Sequence, residues 1–332
     1  LVRQVYQLLY PEEETFYLKA SRQSLLPALL QCPMNEQALA LLADTLPRQQ
    51  LTQRQIAAYL GFDSPKGHTT KTYDLRTRPL PCRTKEMLLA LAAHSKLPEG
   101  EPLRRRAEQA RAYLEQAGLT NGPVLLVDIG SGGTTQLLLE RVLGVQLHGL
   151  QLSADERLRS RFDETRTEVF LFGGQPAPRL YWAGQPMLER LISEDVGATL
   201  GYRASEEKME AVAASQPVAP LLAGIQQGVR NFAAAWRDSV LHDWPIPPEQ
   251  AIASFLQLVE SPTALQLALL GNLTVEDGGV YPLAAPRKVG YYLTHANQAK
   301  QDLSAARWKI GFLKRLAPLP LPYDRLYAKM KK

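Results

Sequence analysis

Hydrophobic and polar residues follow three different rhythms along this chain, and each predicts a different kind of element. After an acidic turn at Glu12, Glu13 and Glu14, the stretch 15–20 reads as a short strand leading to Ser21, Arg22 and Gln23. Ser21 is placed to cap a helix whose apolar positions are Leu25, Leu26, Ala28, Leu29 and Leu30. Ala and Leu recur at helical spacing over 35–60 with a break near Pro47, and again over 84–94 and 102–118, where Gly118 is a stop signal. Between them, 63–81 is polar and holds Pro65, Gly67, Pro79 and Pro81, which predicts a loop. The rhythm then changes. Val124, Leu125, Leu126 and Val127 form a continuous apolar run of the buried parallel-strand type. Asp128, Ile129, Gly130, Ser131, Gly132, Gly133, Thr134 and Thr135 follow it, then a helix over 136–143 ending at Gly144, and a second strand over 145–152. A third strand is predicted at 169–172, and helices over 218–240 and 248–270. Strand, glycine-rich turn, helix and strand in succession predict an α/β fold, with a Rossmann-like or phosphoribosyltransferase-like parallel sheet. A helical insertion is expected at about 34–118. The expected division is an α/β ligand-binding domain at 1–185 and a mostly helical region at 186–332 with a basic tail.

Composition adds bounds. The 332 residues exceed what one hydrophobic core usually supports. No apolar run is long enough to span a bilayer. The formal charge of +5 is unevenly spread. From residue 287 onward there are 11 Lys and Arg against Asp302 and Asp324, so the rest of the chain is slightly acidic. That pattern argues against nucleic acid as a partner. It leaves a basic tail in which Lys309, Lys314, Arg315, Lys329, Lys331 and Lys332 mix with Trp308, Phe312, Tyr323 and Tyr327. One reading of the tail is a solvated terminal helix; the other is contact with anionic headgroups or a lipid-linked glycan. Pro318, Pro320 and Pro322 divide it into two short elements. Cys32 and Cys82 are too few for a disulfide framework and suit a reducing compartment. His68 and His94 lack metal-ligand spacing, and His148 is expected to be packed within its strand. The first residues carry neither Met nor a signal stretch, and the chain reads as trimmed from something longer.

The glycine-rich turn is the sharpest chemical signal. Backbone N–H groups and a helix N-terminus can cradle an anion there. Asp128 could hold sugar hydroxyls or a bound metal, and Thr134 and Thr135 could donate to a phosphate. The competing reading is a tight structural turn. The P-loop pattern is excluded, because no Lys follows the glycines. Asp128-Ile129-Gly130-Ser131-Gly132 resembles the acid-x-Gly-x-Gly turn of class I S-adenosylmethionine-dependent methyltransferases, but the next strand offers Gln151 where those enzymes place a carboxylate. Gly132-Gly133-Thr134 resembles the phosphate loop of phosphoribosyltransferases, with one acid where two are usual.

Four stretches in order widen the second resemblance: Tyr17-Leu18-Lys19-Ala20-Ser21-Arg22, the turn over 127–136, residues 187–202, and 262–271. Together they resemble the C-terminal glycosyltransferase module of bacterial polysaccharide-biosynthesis proteins whose N-terminal half is a HAD-type phosphatase. The resemblance implies transfer of ribofuranose 5-phosphate from phosphoribosyl pyrophosphate to a saccharide or lipid-linked glycan acceptor. It also implies Mg²⁺ carried by the donor diphosphate, and a phosphatase domain with an Arg-Asp-Gly motif before Leu1. Cytoplasmic placement follows from it, at or near the inner membrane face. On this reading Ser21, Arg22, Asp128, Gly130, Ser131, Gly132, Gly133, Thr134 and Thr135 bind the donor. Arg22 grips diphosphate, and Glu189, or the Glu194-Asp195 pair, is the candidate base toward an acceptor hydroxyl. No residue is assigned directly to a metal. A helix cap with a surface charge explains Ser21 and Arg22 equally, and solvation explains the acids. Two other functions stay open: a methyltransferase, and a non-catalytic scaffold of a glycan-assembly complex.

Overall fold

The computed structural model describes residues 1–330 apart from 48, 63–70, 207, 216–218, 277–279 and 320. Pro65, Gly67, His68, Val218, Pro320, Lys331 and Lys332, invoked above, lie outside the described residues. The chain begins with α1 (Val2–Leu9), α2 (Arg22–Gln31) and α3 (Glu36–Thr45). Next come β1 (Gln50–Thr52), α4 (Gln53–Leu60), β2 (Thr72–Asp74), α5 (Cys82–His94) and α6 (Glu101–Gln116). β1 and β2 form a small antiparallel ladder. The stretch 15–20 is not a strand. It runs without regular structure into Ser21, which caps α2 with a reciprocal Ser24 capping box. Residues 24–30 of α2 are buried all round, and α2 becomes the central helix of the first core, against α6, α7 and α3.

The parallel sheet is β3 (Leu125–Asp128), β4 (His148–Gln151) and β5 (Thr167–Val169), joined by α7 (Thr134–Leu143) and α8 (Glu156–Arg161). Strand order follows chain order, so the described strands show no reversal where a doubly wound sheet would open its crevice. The molecule is mixed α/β with this small sheet. Both helices cover one face: Gln136 lies on Gly149, while Leu158 and Phe162 pack beside Val169. The other face is open. Leu125 and Val127 are more than half exposed, and His148 beside them is also exposed rather than packed as expected. The apolar run 124–127 is therefore an edge strand buried on one side, not a fully buried one.

The C-terminal part contains α9 (Arg179–Ile192), β6 (Thr199–Ser205), β7 (Lys208–Ala213), α10 (Pro220–Arg237), α11 (Pro248–Glu260) and α12 (Ala264–Leu270). It ends with β8 (Thr274–Glu276), β9 (Val280–Pro282), α13 (Val289–Thr294), α14 (Ala296–Ala305), α15 (Lys309–Leu316) and α16 (Tyr323–Met330). The stretch 248–270 is two helices, because Thr263 starts a new capping box after Pro262. The boundary expected at 185/186 falls inside α9, and the β6–β7 hairpin returns to the first core through Tyr202. Trp308, Phe312, Tyr323 and Tyr327 are all buried in a second core with Met187 and Val259. The tail's aromatic residues are core, while Lys309, Lys314 and Arg315 are half-buried beside them. No described helix is long and apolar enough to cross a membrane.

Candidate functional site

β3 delivers Asp128 to the start of the glycine turn. Its Oδ1 accepts the Gly130 N–H at 2.8 Å, and Thr135 also bonds its carboxylate. Burial pushes the Asp128 pKa up, against the opposing pull of those two bonds. Gly133, at φ +63, caps α7, and no side chain caps the helix start. A helix start of this kind can receive an anionic acceptor at its first N–H groups. The two adjacent glycines also have a packing cause. A Cβ on Gly132 would lie 2.9 Å from Arg157 Nη2, and one on Gly133 would lie 2.6 Å from Phe162 and 2.7 Å from Leu158. Ser131 is buried, and its carbonyl accepts from the Asp155 amide at 2.9 Å. Arg161 Nη1 donates to Gly132 O at 2.6 Å and to the Thr134 hydroxyl at 3.0 Å.

Those last contacts lead to a cavity of about 800 Å³ lined by Asp44, Arg78, Arg157, Arg159, Arg161 and Trp182, among others. Asp155 and Arg161 bond the turn and line this cavity at the same time. Asp44 at the end of α3 pairs with Arg78 at 2.7 Å and with Arg161, while Asp155 holds Arg157 through Nε at 2.8 Å and Nη2 at 2.5 Å. Sequence reasoning missed this arginine set. The only available signal was the alternation of Arg157, Arg159 and Arg161 in a six-residue helix, a pattern that solvation explains equally well.

Ser21 and Glu189 meet elsewhere, in a groove of about 310 Å³ that also contains Tyr17, Lys19 and Glu194. The Ser21 hydroxyl donates to Thr199 O at 2.5 Å while accepting from the Ser24 amide, so its bonding is that of a cap. Arg22 is exposed in the first turn of α2. Tyr113 and Tyr202, stacked at 4.4 Å, hold the Lys19 backbone: Tyr113 accepts its N–H and Tyr202 donates to its carbonyl. Thus Lys19 faces Glu194 at 3.3 Å. Asp195 is committed to structure. Burial opposes its ionisation, but the Ala219 amide at 2.7 Å and Arg190 at 2.5 Å hold its pKa below the usual range. Glu189 accepts from Gln185 at 3.0 Å. It sits seven residues along α9 from Trp182, which is about 10 Å of helix axis. Groove and cavity thus lie toward opposite ends of α9, and Glu189 does not line the cavity beside the turn.

Gln151 pairs in register with Asp128 across the sheet and is fully buried, with neither amide atom hydrogen-bonded. A class I methyltransferase would present a ribose-binding acid at this strand end; here the position is an enclosed amide. Among the described residues, no group of three or more His, Cys, Asp and Glu could hold a metal ion. Cys32 is buried and Cys82 exposed, both as free thiols, and His94 packs edge-on against Phe62. No family model and no curated protein matches this chain.

Proposed function

We propose that the chain is a glycosyltransferase of phosphoribosyltransferase type, moving ribofuranose 5-phosphate from phosphoribosyl pyrophosphate to a saccharide acceptor in bacterial surface-polysaccharide synthesis. One observation carries the reading. The uncapped start of α7 follows the strand that presents Asp128, and Arg161 and Asp155 connect that turn to an arginine-lined cavity. A phosphorylated donor matches each part of this arrangement. The α7 N–H groups would receive its 5-phosphate, and Asp128 would accept from ribose hydroxyls. Charge on the departing diphosphate would be met by guanidinium groups in a partly enclosed space. Asp128 offers one hard oxygen ligand, which suits Mg²⁺ bound chiefly through substrate phosphates. When bound, that ion would offset charge on the leaving group. Ser21 acts in this reading as a helix cap, and Glu189 has no assigned step.

Thermal-shift measurements separate the candidate functions. Phosphoribosyl pyrophosphate with Mg²⁺ should raise the melting temperature, since a ligand of the native state at a hundred times its Kd adds about 2.7 kcal/mol. S-adenosylmethionine should leave it unchanged. A shift with S-adenosylmethionine alone would establish the methyltransferase instead, and no shift with either would favour the scaffold.

A further inference from the structure

We infer that the cavity beside α8 is a diphosphate subsite, with Arg157 and Arg159 as its principal contacts and Arg78 and Arg161 completing its positive wall. The inference rests on the donor reading above and replaces Arg22 as the diphosphate ligand. Two features distinguish this cavity from an ordinary surface network. The first is how the cations are held. Asp44 lies between Arg78 and Arg161, so one carboxylate fixes two guanidinium groups, and over the whole lining four arginines face Asp44, Asp155 and Glu156, leaving a formal charge of +1. Arg157 is gripped along one edge by Asp155, two residues earlier in its own turn. That pair joins no separate elements, so it adds nothing to the fold that a helix cap would not. It does set the orientation of the guanidinium and leaves its Nη1 amino group for another acceptor. A planar fork held this way loses little freedom when it takes a phosphate oxygen.

The second feature is position. Arg161 contacts Gly132 and Thr134 on one side and lines the cavity on the other, so a group bound there lies directly beside the turn that receives the sugar phosphate. At about 800 Å³ the space exceeds a bare diphosphate, and Trp182 supplies an apolar wall. A diphosphate joined to a sugar fits it better than the free anion does.

Isothermal titration of the full chain with sodium diphosphate tests the assignment. Saturable binding is expected, weakened at least tenfold in the Arg157→Gln/Arg159→Gln double variant. Glu108→Gln, at an exposed α6 position that does not line the cavity, should change diphosphate affinity less than twofold. The single exposed variant Arg159→Gln, checked for an unchanged melting temperature, provides the same test at an intermediate loss should the double variant not fold. Absence of diphosphate binding, or equal binding by the arginine variants, overturns the subsite. A parallel titration with phosphoribosyl pyrophosphate separates the two sources of the anion. Tighter binding than free diphosphate, lost in Arg159→Gln, supports a sugar-linked ligand. Diphosphate binding that depends on the arginines, with phosphoribosyl pyrophosphate binding no tighter, keeps the subsite and removes the donor reading.

Discussion

Burial of Asp128 carries a cost that depends on pH. Because burial raises its pKa, the folded chain holds that proton to higher pH than the unfolded chain, whose aspartates titrate near about 3.9. Its contribution to stability is therefore greatest below the unfolded range and is lost as pH rises through the folded value. Asp128→Asn should match the wild type near pH 4 and exceed it in stability by a margin that grows toward neutrality. Urea unfolding across that range measures the effect, and a variant less stable at every pH would show that the carboxylate is structural. The local rules that single out Asp128, Gly144 and the Ser21 cap act within a few residues, which is why these positions are legible in the sequence. The arginine set is not, because Asp44 and Arg161 meet across 117 positions of chain.

At the scale of elements, the pattern that distinguishes helix from strand worked where one periodicity dominated. The helices at 82–94, 101–116 and 134–143 lie within two residues of their expected bounds. It failed at 15–20, whose alternation looked like a strand although the tyrosine hydroxyls of 113 and 202 take the backbone bonds of Lys19. It failed again at β6 and β7, the longest ladder, because the turn between them is charged rather than glycine- or asparagine-rich. An ionic contact between the N-terminal helices and the sheet unit is equally non-local. Asp44 of α3 is buried between Arg78 and Arg161, so Asp44→Asn leaves two guanidinium groups without their counter-charge. A loss of about 3 kcal/mol is expected, measurable by denaturant unfolding. A loss below about 0.5 kcal/mol would reduce the bridge to an ordinary surface pair.

The described residues form two large cores, the first taking in the β6–β7 hairpin through Tyr202 and the second taking in α9 through Ala183 and Met187. The basic excess after residue 287 shares its elements with aromatic side chains that are interior. Trp308 is fully buried, and its indole N–H donates to Val259 O at 3.2 Å. Trp308→Ala should cost about 4 kcal/mol of stability, and full stability in that variant would release the tail from the core. The proposed chemistry belongs to the turn rather than to either core, and calorimetric titration with phosphoribosyl pyrophosphate and Mg²⁺ tests it most directly. The wild-type chain should bind with a saturable heat, and Asp128→Asn, although more stable near neutral pH, should bind at least tenfold more weakly. Undetectable binding by the wild type, or equal affinity in the variant, would contradict the assignment of the turn as a donor site.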